Sequence, residues 1–150
     1  MASKDKSTEI GILVLRVGLG LVLLYHGSQK VFGVFGGLGF QPTLETWEQV
    51  RGVPQWLGFL AIASEFGGGL LVMLGLLTRA FGFLIACTMA TAAYFELTKP
   101  GALHALSEGR NTMVATYGYP LALALVGLAL VFLGSGRFSL DQKFFGRKSK

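Results

Sequence analysis

The sequence predicts an all-α integral membrane protein, a four-helix bundle with both its N and C termini in the cytoplasm. Three observations lead there. The 150-residue chain is 52% hydrophobic and only 14% charged, whereas a soluble domain carries about 25% charged residues. Apolar stretches at about residues 10–31, 53–77, 80–97 and 114–133 alternate with polar segments, and about 20 apolar residues span a bilayer. The basic residues are also sorted by side. Lys4, Lys6, Arg79, Arg137, Lys143, Arg147, Lys148 and Lys150 would share one side of such a bundle, and Lys30, Arg51, Lys99 and Arg110 the other. The positive-inside rule gives the richer side to the cytoplasm. Membrane sidedness thus accounts for the net charge of +5, and nucleic acid is not expected as a partner. Membrane lipid is, because clustered lysines and arginines meet anionic head groups.

Residues 1–9 form a polar leader. Asp5 and Glu9 dilute its positive charge and no small-residue cleavage site follows, so the first helix is expected to stay in the mature protein. That helix carries Gly11, Gly18, Gly20 and Gly27, and small residues let helices approach closely. Residues 32–52 should form a periplasmic or extracellular loop. Its glycine- and phenylalanine-rich start is expected to dip into the interface or pack over the helix ends. A short interfacial helix should follow over 42–50, capped by Thr43 and favoured by Glu45 and Glu48 in its N-terminal half. Trp47 and Trp56 bracket the return to the bilayer.

The second apolar helix holds Glu65 and then Phe66-Gly67-Gly68-Gly69, and Leu77-Thr78-Arg79 reads as a tight cytoplasmic turn. The third helix ends near Glu96, which Lys99 is placed to neutralise. His104 lies in a polar loop and reads as solvated. Cys87 is the single cysteine. It excludes an intrachain disulfide and is expected to be a small core residue. The fourth helix is plain, with Tyr117, Tyr119 and Pro120 near its outer end.

Charge at membrane depth is costly, by roughly 2.5–3.5 kcal/mol even on the gentler insertion scale. Arg16, His26 and Glu65 nevertheless lie inside apolar runs. At about 100° per residue, Gly20, Leu23, Gly27 and Lys30 fall within roughly 40° of Arg16, and His26 about 80° away. Ala61, Gly68 and Gly69 share the face of Glu65. A rise of 1.5 Å per residue puts Arg16 ~9 Å, Glu65 ~18 Å and His26 ~24 Å from the cytoplasmic side. Glu65 is therefore expected to pair with Arg16 or His26. Such a group serves either as a lock between helices or as a pocket that receives a quinone head group or relays protons. The pocket reading assigns His26 and Glu65 catalytic roles, and Arg16, His26, Lys30 and Glu65 to quinone binding. No metal is expected, for want of clustered ligands. Haem is not expected either, because His26 is the one intramembrane histidine.

Several segments together resemble the DoxX family of small four-helix membrane proteins. They are Leu15-Arg16-Val17-Gly18, then Tyr25-His26-Gly27-Ser28-Gln29-Lys30-Val31-Phe32-Gly33. Ala63-Ser64-Glu65-Phe66-Gly67-Gly68-Gly69-Leu70 continues to Leu74-Gly75-Leu76-Leu77-Thr78-Arg79. The last is Gly134-Ser135-Gly136-Arg137-Phe138-Ser139-Leu140-Asp141. The resemblance implies a single four-helix domain in the bacterial inner (plasma) membrane. Some relatives are the membrane subunit of a thiosulfate:quinone oxidoreductase, and others are linked to thiols, quinones or oxidative stress. The matching positions are Arg16, His26, Gly27, Lys30, Glu65, Gly68 and Arg79. One departure is Tyr117-Gly118-Tyr119-Pro120, where relatives often carry an acidic or polar residue.

The expected function is therefore a membrane subunit of a redox system, binding quinone and working with a partner oxidoreductase that supplies electrons. One cysteine cannot pass electrons by dithiol exchange. Two alternatives stand beside it: a non-catalytic scaffold of a larger complex, and a small transporter or proton path. Glycine faces are compatible with a homo-oligomer.

Overall fold

The computed structural model describes residues 6–98 and 117–146. Among them every regular element is helical, so the all-α architecture expected from the sequence is what the chain adopts. The apolar runs and their breakers set the elements. Helix α1 is Lys6–Phe32, α2 is Phe40–Arg51, α3 is Gln55–Leu74, α4 is Thr78–Thr98, α5 is Gly118–Leu133 and α6 is Leu140–Phe145. Helices α1, α3 and α4 are long and apolar enough to cross a membrane, and α5 is a shorter apolar helix. The segment expected to open the fourth helix, from residue 114, lies outside the described residues, as do Lys99 and His104.

Small residues bring the helices together. A Cβ on Gly27 would stand 2.8 Å from Phe66 Cα, and one on Gly20 2.5 Å from Met73 Cβ. Helix α1 thus lies directly against α3. Gly82 of α4 and Gly127 of α5 meet in the same way, each with the other's carbonyl oxygen 2.9 Å from its would-be Cβ. Between these pairs sit Ile12, Leu19, Leu23, Val72, Ile85, Met89, Ala124 and Leu130, the buried core.

One end of the bundle gathers the start of α1, the turn after α3 and the last described residues. Gly75 (φ 73°) stops α3 and Leu77 (φ 50°) closes the turn. The turn therefore occupies residues 75–77, two residues earlier than the sequence suggested, and Thr78 already belongs to α4. The Asp141 carboxylate accepts the N–H groups of Leu77 (2.7 Å) and Thr78 (3.1 Å). A carboxylate there satisfies otherwise orphaned amides and faces the positive end of the helix dipole. Asp141 N–H in turn donates to Gly75 O at 2.9 Å. Buried Glu9 accepts Arg137 N–H at 2.6 Å. The C-terminal motif is thus a clasp, and this end is called the tail end below.

At the opposite, loop end, residues 33–39 fold back over α1. Gln29 Nε2 donates to Phe35 O (3.2 Å), Gly39 N–H donates to Gln29 O (3.2 Å), and Tyr25 stacks on Phe35 with centroids 5.2 Å apart. Helix α2 begins at Phe40 and not Pro42. Thr43 consequently lies inside the first turn. Its hydroxyl donates back to Gly39 O at 2.6 Å, the i−4 bond available to a mid-helix threonine, and it does not cap the helix. Leu44 anchors α2 to α3, its Cδ2 only 2.7 Å from where a Gly58 Cβ would be.

Candidate functional site

Helix α3 is not uniformly α-helical. Residues Ser64–Gly68 form a π-helical turn, a widening that inserts an extra residue and turns the following face. Glu65 sits in that turn, buried, and Ser64 Oγ donates to Thr88 Oγ1 on α4 at 2.9 Å. The close Gly27–Phe66 contact brings the outer part of α1 against the same turn. Glu65 there pairs with Lys30, one α-helical turn beyond His26.

This corrects the expected partners. Glu65 bonds neither Arg16 nor His26. Arg16 is 1% exposed, and its guanidinium donates to the Phe138 carbonyl in the tail-end clasp. It lies about 21 Å along α1 from Lys30 by helical rise and does not line the cavity described next. The straight-helix depth estimate could not register the C-terminal clasp, which reaches Arg16 from 122 positions away. His26 instead turns Nδ1 toward Gln29 Oε1 at 3.2 Å, with the rings of Tyr25 and Tyr119 edge-on at 5.2 and 5.4 Å.

His26, Lys30 and Glu65 all line one cavity of about 810 Å³. Its lining runs from Arg51 and Glu96 at the loop end to mid-bundle. Its remaining walls are largely apolar, including Leu23, Leu57, Leu60, Leu84, Met89 and Leu123. A second ion pair stands nearer the loop end, Arg51 with Glu96 at 2.5 Å. Among the described residues the partner of Glu96 is thus Arg51, at the end of α2; the expected neutralisation by Lys99 lies outside the described residues. Each cation also lies over an aromatic ring, Lys30 over Trp47 (5.2 Å) and Arg51 over Phe95 (5.6 Å).

Cys87 is exposed and lines the same cavity, so it is not the core residue expected. The core face of α4 runs instead through Ile85, Met89 and Ala93. The cavity reaches the outside of the bundle between α3 and α4, where its lining residues Leu57, Leu60, Cys87 and Thr91 are exposed. Sequence reasoning missed Trp47, Arg51, Thr88, Phe95 and Tyr119 as cavity residues. Depth could have signalled Arg51 and Glu96, which both sit at helix ends on the loop side. Nothing local marks Thr88. Among the described residues, no three His, Cys, Asp or Glu side chains gather as metal ligands.

The DoxX family model matches residues 11–97. Over 146 residues the chain is 34% identical to the Bacillus subtilis (strain 168) protein named "Putative oxidoreductase CatD", covering 97% of this chain and 96% of that one. It is 28% identical to "Inner membrane protein YqjF" of Escherichia coli (strain K12), covering 91% and 94%. A Haemophilus influenzae protein without an assigned name is 30% identical, covering 97% and 98%. No solved structure matches. The family match takes in α1 to α4, every wall of the cavity except the α5 side, and the similarity to these relatives continues through the tail-end clasp: the chain belongs to the DoxX family of membrane proteins.

Proposed function

We propose that this chain is the membrane component of a redox system and binds a quinone in the cavity, with a partner oxidoreductase supplying electrons. The observation that carries this reading is the cavity itself. Its volume of about 810 Å³ falls in the range of small-molecule sites, roughly 300–1,000 Å³. Such sites combine apolar walls with a few converging polar groups. Here those groups are His26, Lys30, Glu65 and the hydroxyl of Thr88.

The residues fit a quinone. Leu57, Leu60, Leu84 and Leu123 suit its ring and tail, and the opening between α3 and α4 admits a lipid-soluble molecule from the side. Bound there, a quinone supplies two-electron, two-proton chemistry. The chain's own residues then bind and orient. Lys30 donates a hydrogen bond toward a carbonyl oxygen, His26 and Tyr119 pack against the ring, and Glu65 holds Lys30 in place and can exchange a proton. The relative named "Putative oxidoreductase" supports the redox role and the one named "Inner membrane protein" supports a bacterial inner-membrane setting, while the sorting of basic residues supports cytoplasmic termini.

The test is organic extraction and mass spectrometry of the protein purified in lipid nanodiscs, wild type against His26→Ala. About one quinone per chain in the wild type, reduced at least about tenfold in the folded variant, is the expected result. No quinone in either protein overturns the reading and favours the scaffold.

A further inference from the structure

The cavity's charged side chains among the described residues are balanced one against one. Among the described residues, four charged side chains line it: Lys30, Arg51, Glu65 and Glu96. They form two ion pairs, Lys30 with Glu65 and Arg51 with Glu96. The formal sum is zero. The pairs are also spread along the cavity, one near the loop end at the close of α2 and α4, the other at the π turn of α3. The Glu65 side chain is 4% exposed and Lys30 24%, so the deeper pair faces little water.

We propose that this cavity selects an uncharged amphiphile over an anionic one, and that the Lys30–Glu65 and Arg51–Glu96 pairs set that selection. This deepens the quinone reading and rests on it. A closed pair attracts a neighbouring anion through its cation and repels it through its carboxylate, so the net Coulomb gain is small. The anion still loses its hydration on entering apolar walls, and that cost is large unless a charge compensates it. A neutral head group needs only hydrogen bonds, which Lys30 and Thr88 can supply without breaking either pair. The aromatic rings under both cations add to the effect. Trp47 and Phe95 hold Lys30 and Arg51 by cation–π contact, which restrains them from swinging toward an incoming anion. The cavity is therefore built for the uncharged forms of a quinone, the oxidised ring and the protonated quinol alike, and against fatty-acid carboxylates, which share the tail and abound in membranes.

The consequence is a specificity that one substitution should invert. Glu65→Gln keeps the size and polarity of the side chain but leaves Lys30 facing the cavity without its carboxylate. An anion beside it would then gain an attraction that the wild type cancels. Restoring balance by also replacing Lys30 with Gln should remove that gain.

The experiment uses full-length protein in nanodiscs of zwitterionic lipid and three probes of equal tail length: a decyl benzoquinone, decyl sulfonate and decanol. Binding of each radiolabelled probe is read by its retention on protein-loaded over empty nanodiscs, and for the quinone also by quenching of tryptophan fluorescence, since Trp47 lines the cavity. The expected result is that wild type takes quinone and decanol and prefers both to the sulfonate by at least about tenfold. Glu65→Gln should gain at least about tenfold for the sulfonate, and the Lys30→Gln, Glu65→Gln double variant should lose that gain. Wild type that takes the sulfonate as readily as the quinone overturns the proposal, even if neither variant folds. So does a folded Glu65→Gln protein with no gain. A wild type that takes decanol but neither quinone nor sulfonate supports the charge rule and sinks the quinone reading alone.

Discussion

A guanidinium with 1% exposure must be held by acceptors and opposing charge. Arg16 has the Phe138 carbonyl for one Nη and the Asp141 carboxylate as its nearby countercharge. Its Nε and other Nη have no hydrogen-bond partner among the described residues. Gly75 makes the room, since a Cβ there would lie 1.7 Å from the guanidinium. Arg16 therefore serves the clasp and not the cavity. Arg16→Met keeps the length and removes the charged donor that ties α1 to the clasp, a loss of about 1.5–3 kcal/mol. The variant should melt earlier and be cut more readily within residues 137–146, while keeping its affinity for quinone. Loss of quinone binding with the clasp still protected would place Arg16 back in the pocket. The stripe through Arg16, Gly20, Leu23 and Gly27 was legible because helical periodicity is local, and all four are buried. Their partners were not. Lys30–Glu65 and Arg51–Glu96 join residues 35 and 45 positions apart, and only the packing of helices decides such meetings.

Helix elements follow from the same local physics, and their irregularities do not. Apolar runs and turn residues marked the spans, but the π turn at Ser64–Gly68 left no trace except the glycines around it. That turn matters because its backbone packs directly on α1. A Cβ on Gly27 would stand 2.8 Å from Phe66 Cα and 2.9 Å from Phe66 N. These are backbone atoms and cannot rotate aside, so a single methyl forces α1 and α3 apart. Gly27→Ala should cost about 1–3 kcal/mol through overpacking, pull Lys30 from Glu65 and weaken quinone binding. Gly18 is the control. Nothing lies within 4 Å of its would-be Cβ, so Gly18→Ala should leave binding unchanged and raise stability by up to ~1 kcal/mol through helix propensity. Thermal unfolding and quinone titration of the two variants check both halves. Equal behaviour of the pair would mean that the α1–α3 contact does not shape the site.

At the scale of the whole molecule the bundle is asymmetric along its axis. The tail-end half is closed by Ile12, Leu19, Val72 and Leu130, each 3% exposed or less, and sealed by the clasp. The loop-end half holds the cavity, with two ion pairs and an opening between α3 and α4. Access should therefore come through the lipid and not from the tail-end solution. Cys87 reports on this directly. It lies 11 residues before the end of α4, ~16 Å from the loop end by helical rise, yet it is exposed on the cavity wall. An exposed thiol at that depth is reachable from hydrocarbon and shielded from water. A lipid-soluble maleimide should label Cys87 in intact nanodiscs at least about tenfold faster than a charged, membrane-impermeant one, since the charged reagent meets the desolvation cost of the bilayer. Saturating decyl benzoquinone should slow the lipid-soluble reagent, because ligand and reagent share the opening. Mass spectrometry of the labelled chain measures both rates. Equal labelling by the two reagents would mean that water fills the cavity from the loop end and that the side opening is not the route. Slow labelling by both would mean that α3 and α4 close on each other in the membrane and that the side opening is not the way in.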